Sequence, residues 1–444
     1  MLKDQWGQAL TGASTAAADG YDQALAQFRL YRGDPVATID GVIAEAPGFA
    51  MAQALRAYLF LLGTEPDGFP EARRSYEALA GGSLTPREAG HRAAIAALLE
   101  NRWREAGRAL EDVTAEHPHD IVALQVGHLI DFYTGDSRML RDRIGRAIRR
   151  WDEGVTGYHA VLAMHAFGLE ETADYGAAEK AGRTAIAIEP RDAWAQHAVA
   201  HVMEMQGRTA DGIAWMRADT DAWSRDNFFA VHNWWHLALF HLDRGDIDSA
   251  LALFDGPIHG QRSAMILDLV DASALLWRLH LRGIDLGERW SGVADLWQPF
   301  ARAGNYAFND AHAMMAFVGA GRADDARALL ESQERAMAGG DDNAMFTRDV
   351  GRPVTLAIQA FGAGDYARTV DLLRPVRNIA ARFGGSHAQR DVLDLTLLEA
   401  ALRSGHLALA RALAEERISV KPTSASGWDY LKRSRDSAGR AAAA

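Results

Sequence analysis

Cysteine is absent from the 444 residues, which excludes disulfides, thiolate catalysis and Cys-ligated zinc or iron–sulfur centres. It leaves the compartment open, because a chain without cysteine suits any redox poise. Proline is scarce, 12 in all, and no convincing alternation of apolar and polar residues marks a strand. Long hydrophobic runs are missing too. The longest uncharged apolar stretch, residues 228–242, is too short for a membrane span and carries His232, His236 and His241. Residues 1–7 hold no apolar core of signal-peptide length, so a cytoplasmic location is expected. Positive charge is in deficit, with 47 Lys+Arg against 59 Asp+Glu and a net charge of -12. That balance repels phosphate backbones and anionic headgroups, so neither nucleic acid nor membrane is an expected partner. Nucleophile-elbow, Walker and dinucleotide glycine motifs are absent, since the match at Gly157 to Gly168 follows no strand.

What is present is helical periodicity in repeating units. Apolar residues recur at three- and four-residue spacing, as in Leu393, Leu397, Leu398 and Ala401. The unit is an apolar helix ending in glycine, a short polar turn, and a second helix with a small residue near its start. Gly207, Gly245, Gly283 and Gly321 follow one another at 38-residue steps, and Gly212, Ala250, Ala326 and Ala410 each lie five residues after such a glycine. Glycine supplies the left-handed conformation at a helix end, and the small residue lets the second helix close on the first. Pro47, Pro118 and Pro190 punctuate consecutive hairpins at two-repeat intervals. The expected fold is all-α: tetratricopeptide-like helix hairpins over residues 21–432, stacked into one superhelix with a concave inner face. Residues 1–20 form an N-terminal segment and residues 433–444 a frayed tail.

The polar chemistry concentrates on the first helices of the hairpins. His197, His201 and Glu204 lie at i, i+4 and i+7 and share one helix face, and His232 and His236 do the same one hairpin later. Both pairs are offset by 35 residues, about one repeat, which places four imidazoles side by side on the concave face, flanked by Trp194, Trp234 and Trp235. Asn233, Asp271 and Asn309 occupy one register further along, with His236 and His312 in another and Asp268 and Asp310 nearby. Such a ladder is costly to bury unless paired. The remaining lone histidines, such as His91, His119, His128, His280 and His406, read as structural groups. Metal binding is the less favoured alternative for the cluster: HxxxH is half a signature, and Ala198 stands where the hydrolytic zincin motif needs Glu. No cofactor is expected, with a divalent metal as that alternative. Gly384-Gly385-Ser386 opens a further helix, in which Arg390 either pairs with Asp391 or clamps a carboxylate, and Gln389 and Arg390 join the site if the superhelix curls over.

These residues carry a resemblance. The segments 197–208, 232–236, 308–312, 348–353 and 388–392, with weaker similarity around Pro47 to Gly63, resemble in order and interval the tetratricopeptide repeat protein 38 family of bacteria and animals. The resemblance implies an all-helical repeat superhelix and no settled reaction. A local departure is His387, where a smaller polar residue is usual.

Three functional readings compete, of which a metal-dependent hydrolase or lyase is discounted and the first below is favoured. In the first, a concave pocket binds a small polar organic molecule, with general acid/base catalysis of hydrolase or lyase type as its natural use. His201, His232, His236, His312, Asp310 and Glu204 are its catalytic candidates. His197, Trp194, Asn233, Trp234, Trp235, Asp271, Asn309, Gln389 and Arg390 are its binding candidates. In the second, the array is a peptide- or protein-binding scaffold without catalysis. Against that reading, the inner helices from Trp194 to His312 carry no Lys with which to clamp a peptide carboxylate.

Overall fold

The expected hairpin turns draw their geometry from glycine, and some of them also from the residue that follows it. The glycine that ends the first helix sits at positive φ, +67° at Gly207, +77° at Gly245, +75° at Gly283 and +69° at Gly321. At Gly135-Asp136, Gly245-Asp246 and Gly364-Asp365 the next residue caps the second helix. Each Asp carboxylate accepts from the third amide of that helix, on Met139, Ser249 and Arg368. The small residues behind these turns are buried at helix contacts. A Cβ added at Gly212 would come within 2.3 Å of the Phe240 ring.

The computed structural model describes residues 2–443, with side chains described as far as Asp436. Among them the architecture is all-α, apart from a two-stranded antiparallel ribbon of Leu2–Lys3 and Ala9–Leu10. No helix among the described residues is long and apolar enough to cross a membrane. The last helix, Ala425–Ala443, runs through the segment expected to fray. The side chains of residues 437–444 lie outside the described residues.

The chain divides into two compact units, residues 1–199 with 219–230, and residues 200–218 with 231–444. In the first, five helix pairs follow one another, beginning with Thr15–Leu30 and Pro35–Glu45 and ending with Tyr158–Glu170 and Tyr175–Ile188. Pro47, Pro118 and Pro190 stand between successive pairs as the spacing predicts. Residues 219–230 return to the end of the first helix, where Arg32 pairs with Asn227 and the Phe228 amide donates to the Tyr31 carbonyl at 2.9 Å. Tyr31 stacks there on Trp194 and meets Phe228 and Phe229.

In the second unit the first helices of the hairpins are Ala230–Asp243, Ile266–Leu281, Ala307–Gly319, Arg352–Gly362 and His387–Arg403. Ile266–Leu281 packs on Ala307–Gly319, which packs on Arg352–Gly362. His387–Arg403 then crosses back over Ile266–Leu281. The Trp277 indole donates to Thr396 Oγ1 at 3.0 Å, Arg278 to the Ala388 carbonyl at 2.7 Å and Arg403 to the Leu281 carbonyl at 3.1 Å. The segment after it is tied down as well. Thr423 donates to the Gly207 carbonyl, and Ser424 and Ser426 both donate to Asp243 Oδ1. The inner face of this unit is thus covered by its own C-terminal helices.

The packing generates a graded prediction. Gly245→Ala meets no neighbour but forces a left-handed alanine, and it should cost about 1–2 kcal/mol. Gly212→Ala keeps a helical backbone yet drives a methyl into Phe240, and it should cost about 1–3 kcal/mol as overpacking. Urea denaturation read by circular dichroism should place both below wild type, and a second-site Phe240→Leu should recover stability in the Gly212 variant alone.

Candidate functional site

Three histidines converge in the second unit. Helix Ala193–Met205 contributes His201 and Glu204, and helix Ala230–Asp243 contributes His232 and His236. The 35-residue offset places the His201 and His236 rings with centroids 4.4 Å apart, and the i, i+4 spacing sets His232 edge-on to His236 at 4.9 Å. Each of the three offers a ring nitrogen, and these nitrogens lie within 4.8 Å of one another. Carboxylates hold two of the rings. His232 Nδ1 donates to both oxygens of Asp271, at 2.8 and 3.0 Å, and His236 Nδ1 donates to Glu204 at 3.1 Å. Trp235 stacks flat on His232 and stands edge-on to His236, and the Arg278 guanidinium lies over the same indole. His201 and His236 are fully buried, while His232 is half-buried.

The electrostatics follow from that burial. Desolvation pushes the His236 imidazole well below its usual value, and the neighbouring His201, His232, Arg278 and Lys421 push it in the same direction. Arg278 is lowered to about 10 by burial. Glu204 is also met by Lys421 at 3.7 Å, so it links the histidines to the charged groups of the C-terminal helices.

The other expected residues have further contacts of their own. His197 and Trp194 belong to the first unit. The His197 ring stacks on Phe167 and stands edge-on to Phe229, and Trp194 is packed among Tyr31, His128 and Phe167. Asn233, Asn309, Asp268 and Asp271 are buried, and Trp234 is half-buried. Asp310 faces its own hairpin, where Gln333 donates to it at 3.3 Å, and burial raises its carboxyl to about 7. His312 donates through Nδ1 to the Phe308 carbonyl at 2.8 Å, and burial lowers it to about 4. Gln389 completes a capping box with Ser386 on its own helix. Arg390 donates back to the Gly385 carbonyl. Asp391 pairs with Arg417 through both oxygens, so the expected alternative of an Arg390–Asp391 pair is replaced by a longer-range one. Burial alone would raise Asp391, and Arg417 instead holds it well below the carboxylate range.

Cavities of the second unit lie beside this charged group. One of about 210 Å³ is lined by Met205, Arg377, His387, Asp391, Arg417, Val420 and Lys421 among others. A smaller one of about 50 Å³ reaches Glu204, Arg278 and Asp243. Neither is lined by His201, His232, His236 or His312. Arg278, Arg417 and Lys421 are the charged residues that sequence reasoning missed. Arg278 stands singly between Trp277 and Leu279, and all three acquire a role only when the C-terminal helices fold back.

Hairpin after hairpin with a left-handed glycine at its turn defines an all-α repeat protein of the tetratricopeptide-like class. No protein-family model matches the chain. Among solved structures it is similar to a chain of the APC/C hetero-tetramer Cut9–Hcn1, at 13% identity and a TM-score of 0.42. That match covers 86% of this chain and 62% of the other, so the chain spans less than two thirds of that relative's length. It is also similar to yeast Tom70, at 12% identity and a TM-score of 0.38 over 96% of this chain and 88% of that one. An IFIT1 monomeric mutant with Gppp-AAAA is similar at 11% identity and a TM-score of 0.39, over 98% of both chains.

The buried neutral imidazoles predict a pH response. His312 has a folded value of about 4 against 6.5 unfolded, so the unfolded chain takes up its proton first as pH falls. Stability from this group is intact above pH 6.5 and is lost progressively between 6.5 and 4, by roughly 3 kcal/mol over that window. His312→Gln should flatten the fall of the urea midpoint between pH 6.5 and 4.5 relative to wild type. An unchanged slope would show that His312 does not titrate in this way.

Proposed function

We propose that this protein is a binding scaffold of the tetratricopeptide kind that captures a peptide segment of a partner protein at the C-terminal end of its second unit. The observation that carries this reading is the 210 Å³ cavity with apolar surface at its edge. Val420, which lines it, is 59% exposed, and Trp428, one turn beyond the lining residue Ser424, is 51% exposed. A cavity of that size takes one or two side chains, and exposed aromatic and aliphatic groups beside it supply the anchor contacts that dominate such interfaces. Its walls carry both signs, with Arg377 paired to Asp394 and Glu416 and Arg417 paired to Asp391, so the fitting segment presents an apolar anchor flanked by polar groups. The resemblance to the tetratricopeptide repeat protein 38 family accords with a scaffold and brings no reaction with it.

The pocket reading, in which a small polar molecule is bound and worked on by acid/base chemistry, draws on one specific observation. The His232–Asp271 and His236–Glu204 pairs have the form of imidazoles oriented by carboxylates. Neither of the two cavities described above is lined by those histidines.

The test separates the two. Proteins captured on the wild-type chain should yield tiled peptides that bind it directly in calorimetry, and Val420→Glu combined with Trp428→Ala should weaken that binding at least tenfold at an unchanged melting temperature. Equal binding by the double variant, or no peptide that binds, overturns the scaffold reading. Saturable stabilisation by a small polar metabolite, without peptide binding, transfers the function to the pocket.

A further inference from the structure

We infer that His201, His232 and His236 form a binding site for one divalent transition-metal ion, with zinc as the best-fitting occupant. The inference is independent of the scaffold reading and takes up the alternative that the residue spacing left open.

The first ground is convergence. Three imidazoles from two helices bring one ring nitrogen each within 4.8 Å of one another. A zinc ion with bonds of about 2.0–2.1 Å needs tetrahedral ligand nitrogens roughly 3.3–3.4 Å apart, a change that small ring rotations supply. Imidazole ligands without sulfur suit zinc and its first-row neighbours, while calcium and magnesium prefer oxygen.

The second ground is the partnering of the rings. Asp271 takes the Nδ1–H of His232 and Glu204 takes that of His236. This fixes the tautomer in which Nε2 carries the lone pair, the carboxylate–histidine arrangement that orients metal ligands and raises their basicity. The two carboxylates also balance the charge of a dication. Two cations face the group. Lys421 approaches Glu204 at 3.7 Å, and Arg278 donates to the Ala274 and Ala388 carbonyls while lying over the Trp235 ring.

The third ground is enclosure. His201 and His236 are fully buried, Asp271 is nearly so, and Trp235 stacks against the cluster. A shell of indole and aliphatic groups around an ion strengthens ion–ligand attraction by excluding water.

The experiment uses the full chain, stripped with a chelator and dialysed. Titration with Zn²⁺ followed by elemental analysis should give one equivalent per chain. Titration with Co²⁺ should give the visible absorption of four- or five-coordinate cobalt, and the melting temperature should rise with Zn²⁺ and fall on chelation. His232→Ala and His236→Ala should each weaken Zn²⁺ binding about 100-fold or more. Asp271→Asn, which keeps all three ligands, should weaken it by about 10–100-fold. His406→Ala, at an exposed histidine, should leave it unchanged. If a ligand variant does not fold, the wild-type stoichiometry and the Asp271→Asn affinity decide. Failure of the wild type to take up one equivalent, or uptake that is unchanged in His232→Ala or in Asp271→Asn, overturns the assignment.

Discussion

The inner face of a helix-hairpin array is apolar and cannot be left in water, and its hairpins cover only each other's flanks. In the second unit that face is covered by the chain's own helix His387–Arg403, pinned through Trp277 to Thr396 and Arg278 to Ala388. Nearly everything distinctive follows from this contact. It turns what would be a groove into separate cavities, and it carries Asp391 to the inner helices. The helices behind it bring Arg417 and Lys421 to the same place. The half-buried Asp391 is matched there by Arg417, which pairs with both of its carboxylate oxygens.

The histidine cluster is a second consequence of enclosure. Imidazoles on exposed helices would titrate near neutrality and repel one another once charged. Enclosed as they are, His236 is driven well below its usual value by burial and by its neighbours, and the rings can lie in contact as neutral groups. Asp271 and Glu204 then determine which nitrogen carries the proton. A helix register, an enclosing tryptophan and two carboxylates together convert a spacing of four residues into a defined set of lone pairs.

The readings drawn from the residues separate along a physical line. The hairpins, their glycine turns, the small contact residues and the proline boundaries are local features, and each is set by backbone conformation or by packing between helices adjacent in sequence. They were legible for that reason, as was the approach of His201 to His232 and His236, which needs only that neighbouring helices share a register. The partner of Asp391 was not legible, because Arg417 lies 26 residues away and Arg390 is adjacent in sequence. Gln389 and Arg390 read as site residues but are used at the start of their own helix, where capping geometry competes for the same side chains. Asp310 shares a register with the inner-face polar residues, yet Gln333 on the second helix of its hairpin draws it into a separate contact.

By itself, then, the sequence determined that this protein is all-α, that its helices pair through left-handed glycines at regular steps, and that His197, His201, His232 and His236 recur at matching spacing. Periodicity and backbone preference act over a few residues and carry that information directly. Only the tertiary structure decided which carboxylate meets which imidazole, that the inner face is covered from within, and where charged cavities remain. The carboxylate–imidazole pairs join residues 32 and 39 positions apart, and the covering of the inner face rests on contacts such as Trp277 with Thr396, 119 positions apart, whose pairing no local pattern encodes.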